Sequence, residues 1–200
     1  TYDRKLILRS EGIYLYDEND NKYIDGPGGM WCNNIGHGNK EIGEAVKKQM
    51  EKMDYASPFS ESTEPAAELA SILADLTPGD LNTVFFTTDG STANDSALRF
   101  VMLYNNILGR KEKKHIITRD RAYHGSTYLT ASITGKDREK NNFDFEKNFI
   151  HHLGSPNPYR KKDDQTVKDF CDEKVNEFEN KILEIGSDKV AAYIAEPVLA

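Results

Sequence analysis

Only two cysteines occur in 200 residues, Cys32 and Cys171, too few for a disulfide framework and without metal-ligand spacing. Such usage suits a reducing compartment. The expectation is a cytoplasmic protein, and a mitochondrial matrix form stripped of its transit peptide would read the same way. No apolar run approaches the roughly 18 residues needed to cross a bilayer, and no signal-peptide pattern opens the chain, so no membrane partner is expected. Basic residues are in deficit. Against 33 Asp and Glu stand 26 Lys and Arg, for a formal net charge of −7. The patches Lys111–Lys114 and Arg160–Lys162 suit solvated loop ends, which argues against a nucleic-acid partner. Internal repeats and low-complexity tracts are lacking, and no metal is expected. Asn94-Asp95-Ser96 matches a glycosylation sequon, but it falls inside a predicted helix of a chain without a secretion signal.

What is present alternates between two periods. Residues 12–25 read as a hairpin, with Ile13 and Leu15 on one arm, Tyr23 and Ile24 on the other, and DENDN (17–21) as the turn. Gly26 to Gly29 breaks structure, and Met30-Trp31-Cys32 follows in a loop. Helical spacing appears over 40–52 (Ile42, Val46, Met50) and from Glu64, with Leu69, Ile72, Leu73 and Leu76, ending at Thr77-Pro78-Gly79. Thr83–Thr88 reads as a buried strand and 91–108 as a helix on Ala93, Ala97, Leu98, Val101, Tyr104 and Leu108. His115–Thr118 is a short strand, 127–134 a small-residue helix, 136–148 an irregular excursion and 149–153 a strand. Asp163–Ile185 is a helix and Val190–Ala195 a buried strand closed by Glu196-Pro197. Strands alternating with helices from residue 83 predict βαβ units, an α/β class and a mainly parallel sheet. A sheet that stops straight after a strand leaves an open edge, so the expectation is the front part of a longer protein.

Three features sit at the carboxyl ends of predicted parallel strands: Gly90-Ser91-Thr92, Tyr123-His124 and Glu196. Open α/β sheets bind ligands in the crevice beyond such ends. A strand feeding a helix through Gly-Ser-Thr presents unpaired N–H groups at the positive end of a helix dipole, which suits a phosphate. The same turn read alone is an ordinary βα turn with Asp89 or Ser91 as N-cap. A phosphate cradle, an aromatic-imidazole pair and a carboxylate together suit a flat phosphorylated aromatic such as pyridoxal phosphate. Neither the lysine of a P-loop nor the three spaced glycines of a dinucleotide site is there.

These residues resemble a family. Gly12-Ile13-Tyr14-Leu15-Tyr16-Asp17, Asn21 to Gly26 and Gly36-His37-Gly38 look like the opening of class III (subgroup II) aminotransferases, the ω-aminotransferase type. Phe85-Phe86-Thr87, Gly90 to Asp95, Tyr123 to Thr127 and Ala195-Glu196-Pro197 are similar to later motifs of that family, in order. The resemblance implies an incomplete fold-type I pyridoxal-phosphate transferase. Residues 1–40 would be a small-domain segment with its hairpin, and 41–200 the first part of the large, cofactor-binding domain.

The resemblance further implies that the Gly90 and Ser91 amides, the Ser91 hydroxyl and Thr92 hold the cofactor phosphate. Tyr123 would lie on the ring face, with His124 behind it or at the ring periphery, and Glu196 near the cofactor edge. His124 reads equally well as a structural loop residue. Trp31 would line the substrate pocket, although without the family it reads as a packing aromatic, and Phe59 would reach toward the partner's site of a homodimer. Substrates would be an amine or ω-amino acid and a keto acid such as pyruvate. Decarboxylation, aminomutation, racemisation or a non-catalytic relative are the alternatives on one scaffold. The chain departs from the family's usual Ser before the turn glycine and Glu two places after it, with Asp89 and Thr92 there. An ionised Asp89 facing a phosphate would repel it, so its carboxylate is expected to turn away or to bond backbone N–H groups. The lysine that forms the Schiff base and the acidic partner of the pyridine nitrogen would lie downstream of the Glu-Pro strand, outside this chain. Lys189 comes closest, but it opens a strand instead of closing one.

Overall fold

The computed structural model describes residues 4–198, which form two compact units meeting in sequence at Val84 and Phe85. The first unit opens on an antiparallel sheet in the order β1-β2-β3, formed by β1 (Ile7–Glu11), β2 (Tyr14–Asp17) and β3 (Lys22–Ile24). Its β2-β3 hairpin is the predicted one, with β1 added on the far side of β2. The turn is held by Asp17, whose carboxylate accepts from the Asn19 and Asn21 amides, the Asn21 side chain and the Tyr23 hydroxyl at 2.8–3.0 Å. Donors converging on the ionised form, the Asn21 side chain foremost, lower the Asp17 carboxyl to about 2 from an ordinary 3.8. A depressed carboxyl stabilises the fold above its unfolded value. That contribution is therefore expected to be full above about pH 4 and to disappear by about pH 2. Asp17→Asn should flatten acid unfolding in this window when followed by circular dichroism.

Past the hairpin, the turn α1 (Gly28–Trp31) contains the left-handed residues Gly29, Met30 and Trp31, with φ of 61°, 57° and 67°. The helices α2 (Lys40–Lys52) and α3 (Glu64–Leu76) have the predicted apolar stripes, and α2 is capped by the Asn39 side chain on the Ile42 amide. No residue of either helix is buried. Ile42, Val46, Met50, Leu69, Ile72 and Leu76 all stay exposed.

The second unit carries the parallel sheet, in the order β5-β4-β6, from β4 (His115–Arg119), β5 (Ile150–Leu153) and β6 (Val190–Tyr193). Its helices are α4 (Gly90–Ile107), α5 (Tyr128–Ile133) and α6 (Val167–Ile185). The core gathers Leu98, Ile116, Ile133 and Ile150, with Met102, Leu129, Phe149 and Ile194 packed around it. Burial of such side chains contributes about 1.5–3 kcal/mol each. α6 begins at Val167 instead of Asp163, because Thr166 caps it by accepting from the Asp169 amide.

Two expectations are corrected. Thr83–Thr88 forms no ladder with a described strand, and Phe85 stays 65% exposed. A strand needs a neighbour for its N–H and C=O groups, and the edges β5 and β6 do not supply one. Phe85 instead packs edge-to-face on Phe100 at 5.3 Å between ring centroids. The second correction concerns α4, whose buried residues are Leu98 and Asn105. Ala93 and Ala97 face solvent, so the helix is rotated from the Ala93–Ala97 stripe. Its inward positions include Asn94 and Asp95, which bond the loop after β4.

Candidate active site

The site is assembled within the second unit, at the carboxyl ends of β4 and β6 and the N-terminus of α4. Beyond β4 the chain turns through left-handed Arg121 (φ 69°), and Ala122 is buried. Arg121 and Ala122 exchange hydrogen bonds with Gly135. The loop Tyr123–Thr127 is thereby directed over the start of α4. Three side chains of α4 fasten it. Ser91 Oγ accepts from the Ser126 amide at 3.1 Å, Asn94 Nδ2 donates to the His124 carbonyl at 2.8 Å, and Asp95 Oδ1 accepts from the Thr127 hydroxyl at 3.1 Å. Gly125, at φ 136°, passes close to Ser91. From beyond β6, Glu196 Oε1 accepts from the Tyr123 amide at 2.9 Å.

Ser91, Tyr123, His124 and Glu196 are thus brought into one hydrogen-bonded assembly, with Gly90 beside Ser91 at the start of α4. The first-turn amides of α4 lack intrahelical acceptors, and a Cβ placed on Gly90 would meet nothing within 4 Å. The space in front of the helix is open to an anion. Because Ser91 Oγ accepts from Ser126, its own proton is left to donate. Thr92 turns its donors to Asp89. Its amide donates to Asp89 Oδ1 at 2.9 Å and its hydroxyl to Asp89 Oδ2 at 2.8 Å. Asp89 is the N-cap of α4, bonding backbone N–H as expected, and it also accepts from the Thr88 hydroxyl. These donors, the Thr92 amide first, hold its carboxyl below the usual range, so it is ionised at neutral pH.

His124 is 6% exposed, and its Nε2 has no partner among the described residues. Burial pushes its imidazole below the ordinary value despite the nearby Glu196 carboxylate, and His152 adds to the lowering. A neutral imidazole results. The second carboxylate oxygen of Glu196 is likewise buried without a partner among them. Tyr123 is half exposed, its hydroxyl 3.0 Å from Ser126 Oγ, and it borders a cavity of about 270 Å³. Trp31 and Phe59 belong to the first unit, 65% and 99% exposed.

Sequence reading misses the roles of Asn94, Asp95 and Ser126. The available signal is two polar residues on the inward turn of an amphipathic helix. Among the described residues no group of three or more His, Cys, Asp or Glu could hold a metal, and no helix is long and apolar enough to cross a membrane.

The family described as aminotransferase class-III matches residues 2–200. The chain is 39% identical over 197 residues to a chloroplastic gamma aminobutyrate transaminase 3 of Solanum lycopersicum, covering 97% of the chain and 38% of that protein. It is 37% identical over 195 residues to a putrescine–pyruvate aminotransferase of Pseudomonas aeruginosa, covering 97% and 43%. An omega transaminase from Pseudomonas jessenii, solved in complex with PMP, superimposes with a TM-score of 0.96 at 36% identity, over 98% of this chain and 44% of that one. The chain spans less than half the length of these relatives.

Proposed function

Since the chain belongs to the class-III aminotransferases, we propose that it forms part of a pyridoxal-phosphate enzyme that moves an amino group from an amine or ω-amino acid to a keto acid such as pyruvate. The observation carrying this reading is the junction of the α4 N-terminus with the segments after β4 and β6, Ser91 to Ser126 and Tyr123 to Glu196. The residues fit the cofactor. Open space lies before Gly90, the Ser91 hydroxyl has a proton to give, and Glu196 Oε2 is a buried acceptor without a donor among the described residues. The bound group supplies an electrophilic carbonyl carbon and an electron-withdrawing ring. The Gly90 and Ser91 amides and the Ser91 hydroxyl hold its phosphate, aided by the helix dipole. The Tyr123 ring would stack on the cofactor's ring and help to exclude water from it. Glu196 holds the Tyr123 backbone in place, and the buried His124 next to it is neutral.

Trp31 and Phe59 belong to this proposal as substrate-pocket residues, Phe59 acting across a homodimer. The division into a small-domain segment (1–40) and a large domain (41–200) belongs to it too. Two free thiols support a reducing compartment, the cytoplasm or the mitochondrial matrix.

The direct test mixes full-length protein, cofactor, an amine and pyruvate and follows alanine. Amine-dependent alanine formation is expected; its absence across monoamines, diamines and ω-amino acids overturns the reading. Tyr123→Ala is expected to weaken cofactor retention about three- to tenfold, the worth of one aromatic stack. Unchanged affinity in a dialysis titration removes the stacking role.

A further inference from the structure

Four consecutive residues of the first unit are left-handed: Gly28, Gly29, Met30 and Trp31, at φ of 54°, 61°, 57° and 67°. Glycine takes such angles freely, but a Cβ there crowds the following carbonyl, so Met30 and Trp31 are held against their preference. Both also leave large apolar side chains in the open, 64% and 65% exposed. A conformation disfavoured twice over persists only where its surroundings over-determine it, and such places cluster at functional sites.

Here the surroundings are a clasp made by one ring. Asp25 stands three residues before the turn and Asn33 two residues after it. His37 joins them, its Nε2 2.8 Å from Asp25 Oδ2 and its Nδ1 2.6 Å from Asn33 Nδ2. An amide nitrogen only donates and a carboxylate only accepts, so the ring carries its proton on Nε2 and is engaged at both ends. The His37 ring, followed by the Gly29 amide, holds the Asp25 carboxyl below the usual range, which makes the acceptor a charged one. The Asp25 side chain is 6% exposed and that of His37 19%, so water competes little for this bond. Behind the ring the backbone is fixed as well, because His37 and Gly12 exchange N–H to carbonyl bonds at 3.0 and 2.7 Å. Within the turn, the Trp31 amide donates to the Pro27 carbonyl and the Asn33 amide to that of Gly28, both at 2.9 Å.

We propose that His37 is a positioning residue for Trp31: by tying Asp25 to Asn33 across the left-handed turn, it sets the indole as a fixed wall for the apolar substituent of the amine substrate. The inference rests on the reading of Trp31 as a substrate-pocket residue. It gives His37 no contact with the reacting atoms, so the effect of His37 falls on substrate binding and not on the chemical step.

The test uses full-length protein loaded with cofactor, with benzylamine and pyruvate as substrates. His37→Phe keeps a ring and removes both bonds. It is expected to raise KM for benzylamine about threefold, within the worth of one aromatic pair, with kcat nearly unchanged. His37→Gln should recover part of the loss, because one amide can still donate to Asp25 and accept from Asn33. Trp31→Ala should raise KM at least as much, and His37→Phe should add nothing further on that background. Additive effects, or a KM unmoved by His37→Phe, overturn the proposal. Asn33→Ala, which breaks one bond only, takes the place of His37→Phe if that variant does not fold. If benzylamine is not consumed, or if KM ignores Trp31→Ala, the pocket reading of Trp31 fails, and fluorine NMR decides the clasp alone. With 5-fluorotryptophan incorporated, the resonance lost in Trp31→Phe belongs to Trp31. A single sharp line that broadens or splits in His37→Phe and Asn33→Ala supports the clasp, and a line that neither substitution alters overturns it.

Discussion

Gly125→Ala is expected to destabilise the second unit by about 2–4 kcal/mol and to release the cofactor. Two independent causes add. At φ 136° the backbone lies in a region that L side chains rarely adopt. The new Cβ would also stand 2.6 Å from Thr130 Oγ1, 2.7 Å from Ser91 Oγ and 2.9 Å from Ser91 Cα. The hydroxyls can rotate, but Ser91 Cα is backbone, so the loop must lift from α4. Lifting breaks the Ser126–Ser91 bond and moves Tyr123 with it. Urea unfolding and cofactor titration measure the two consequences separately. Adding Ser91→Ala removes the hydroxyl clash and leaves the Cα clash, so the double variant should recover only a fraction of the stability. Full recovery would place the cost in the side chain and contradict the close backbone approach.

Asp89→Asn is expected to tighten cofactor binding about five- to tenfold with little change in stability. The Asp89 carboxylate sits where α4 presents its amides, and it takes both donors of Thr92. A phosphate bound at Gly90 and Ser91 therefore has a negative neighbour, and charges a few ångströms apart cost about a factor of five per pair even in bulk water. Asn caps a helix about as well as Asp, so the substitution removes the charge and keeps the cap. Asp89→Ala removes both and should lose thermal stability as well. Equilibrium titration with the cofactor at low salt reads the effect, and added salt should shrink the gap between the Asp89→Asn variant and the wild-type protein. Weaker binding by Asp89→Asn would mean that the carboxylate helps to hold the cofactor through its donors.

Much of the second unit is legible in the sequence because its elements keep a clear period. The β-branched run at 115–118 and the apolar run at 190–193 form β4 and β6, and the spacing of Val167, Phe170, Val175, Phe178 and Ile182 forms α6. The segment 83–88 misleads for a physical reason. Its composition suits a strand, yet a strand exists only with a neighbour, and the described sheet provides none. The face of α4 misleads because apolar periodicity is blind to inward polar residues that bond a loop, as Asn94 and Asp95 do. β1 escapes notice because Ile7-Leu8-Arg9-Ser10-Glu11 is exposed along its whole length. The left-handed Met30 and Trp31 follow from no local preference of those residues. At the site, residue types and order are readable, and donor allocation is not. Only the geometry shows that Thr92 donates to Asp89 and that Ser91 keeps its proton.

The central claim is that Gly90 and Ser91 hold a pyridoxal phosphate whose ring lies against Tyr123. The measurement that tests it most directly is the absorbance spectrum of purified full-length protein after incubation with the cofactor and removal of the excess. A retained band near about 410–430 nm that borohydride bleaches is predicted, a property of the cofactor bound through an amine. Ser91→Ala should weaken retention of that band. A full-length protein that folds and shows no such band at any cofactor concentration contradicts the account.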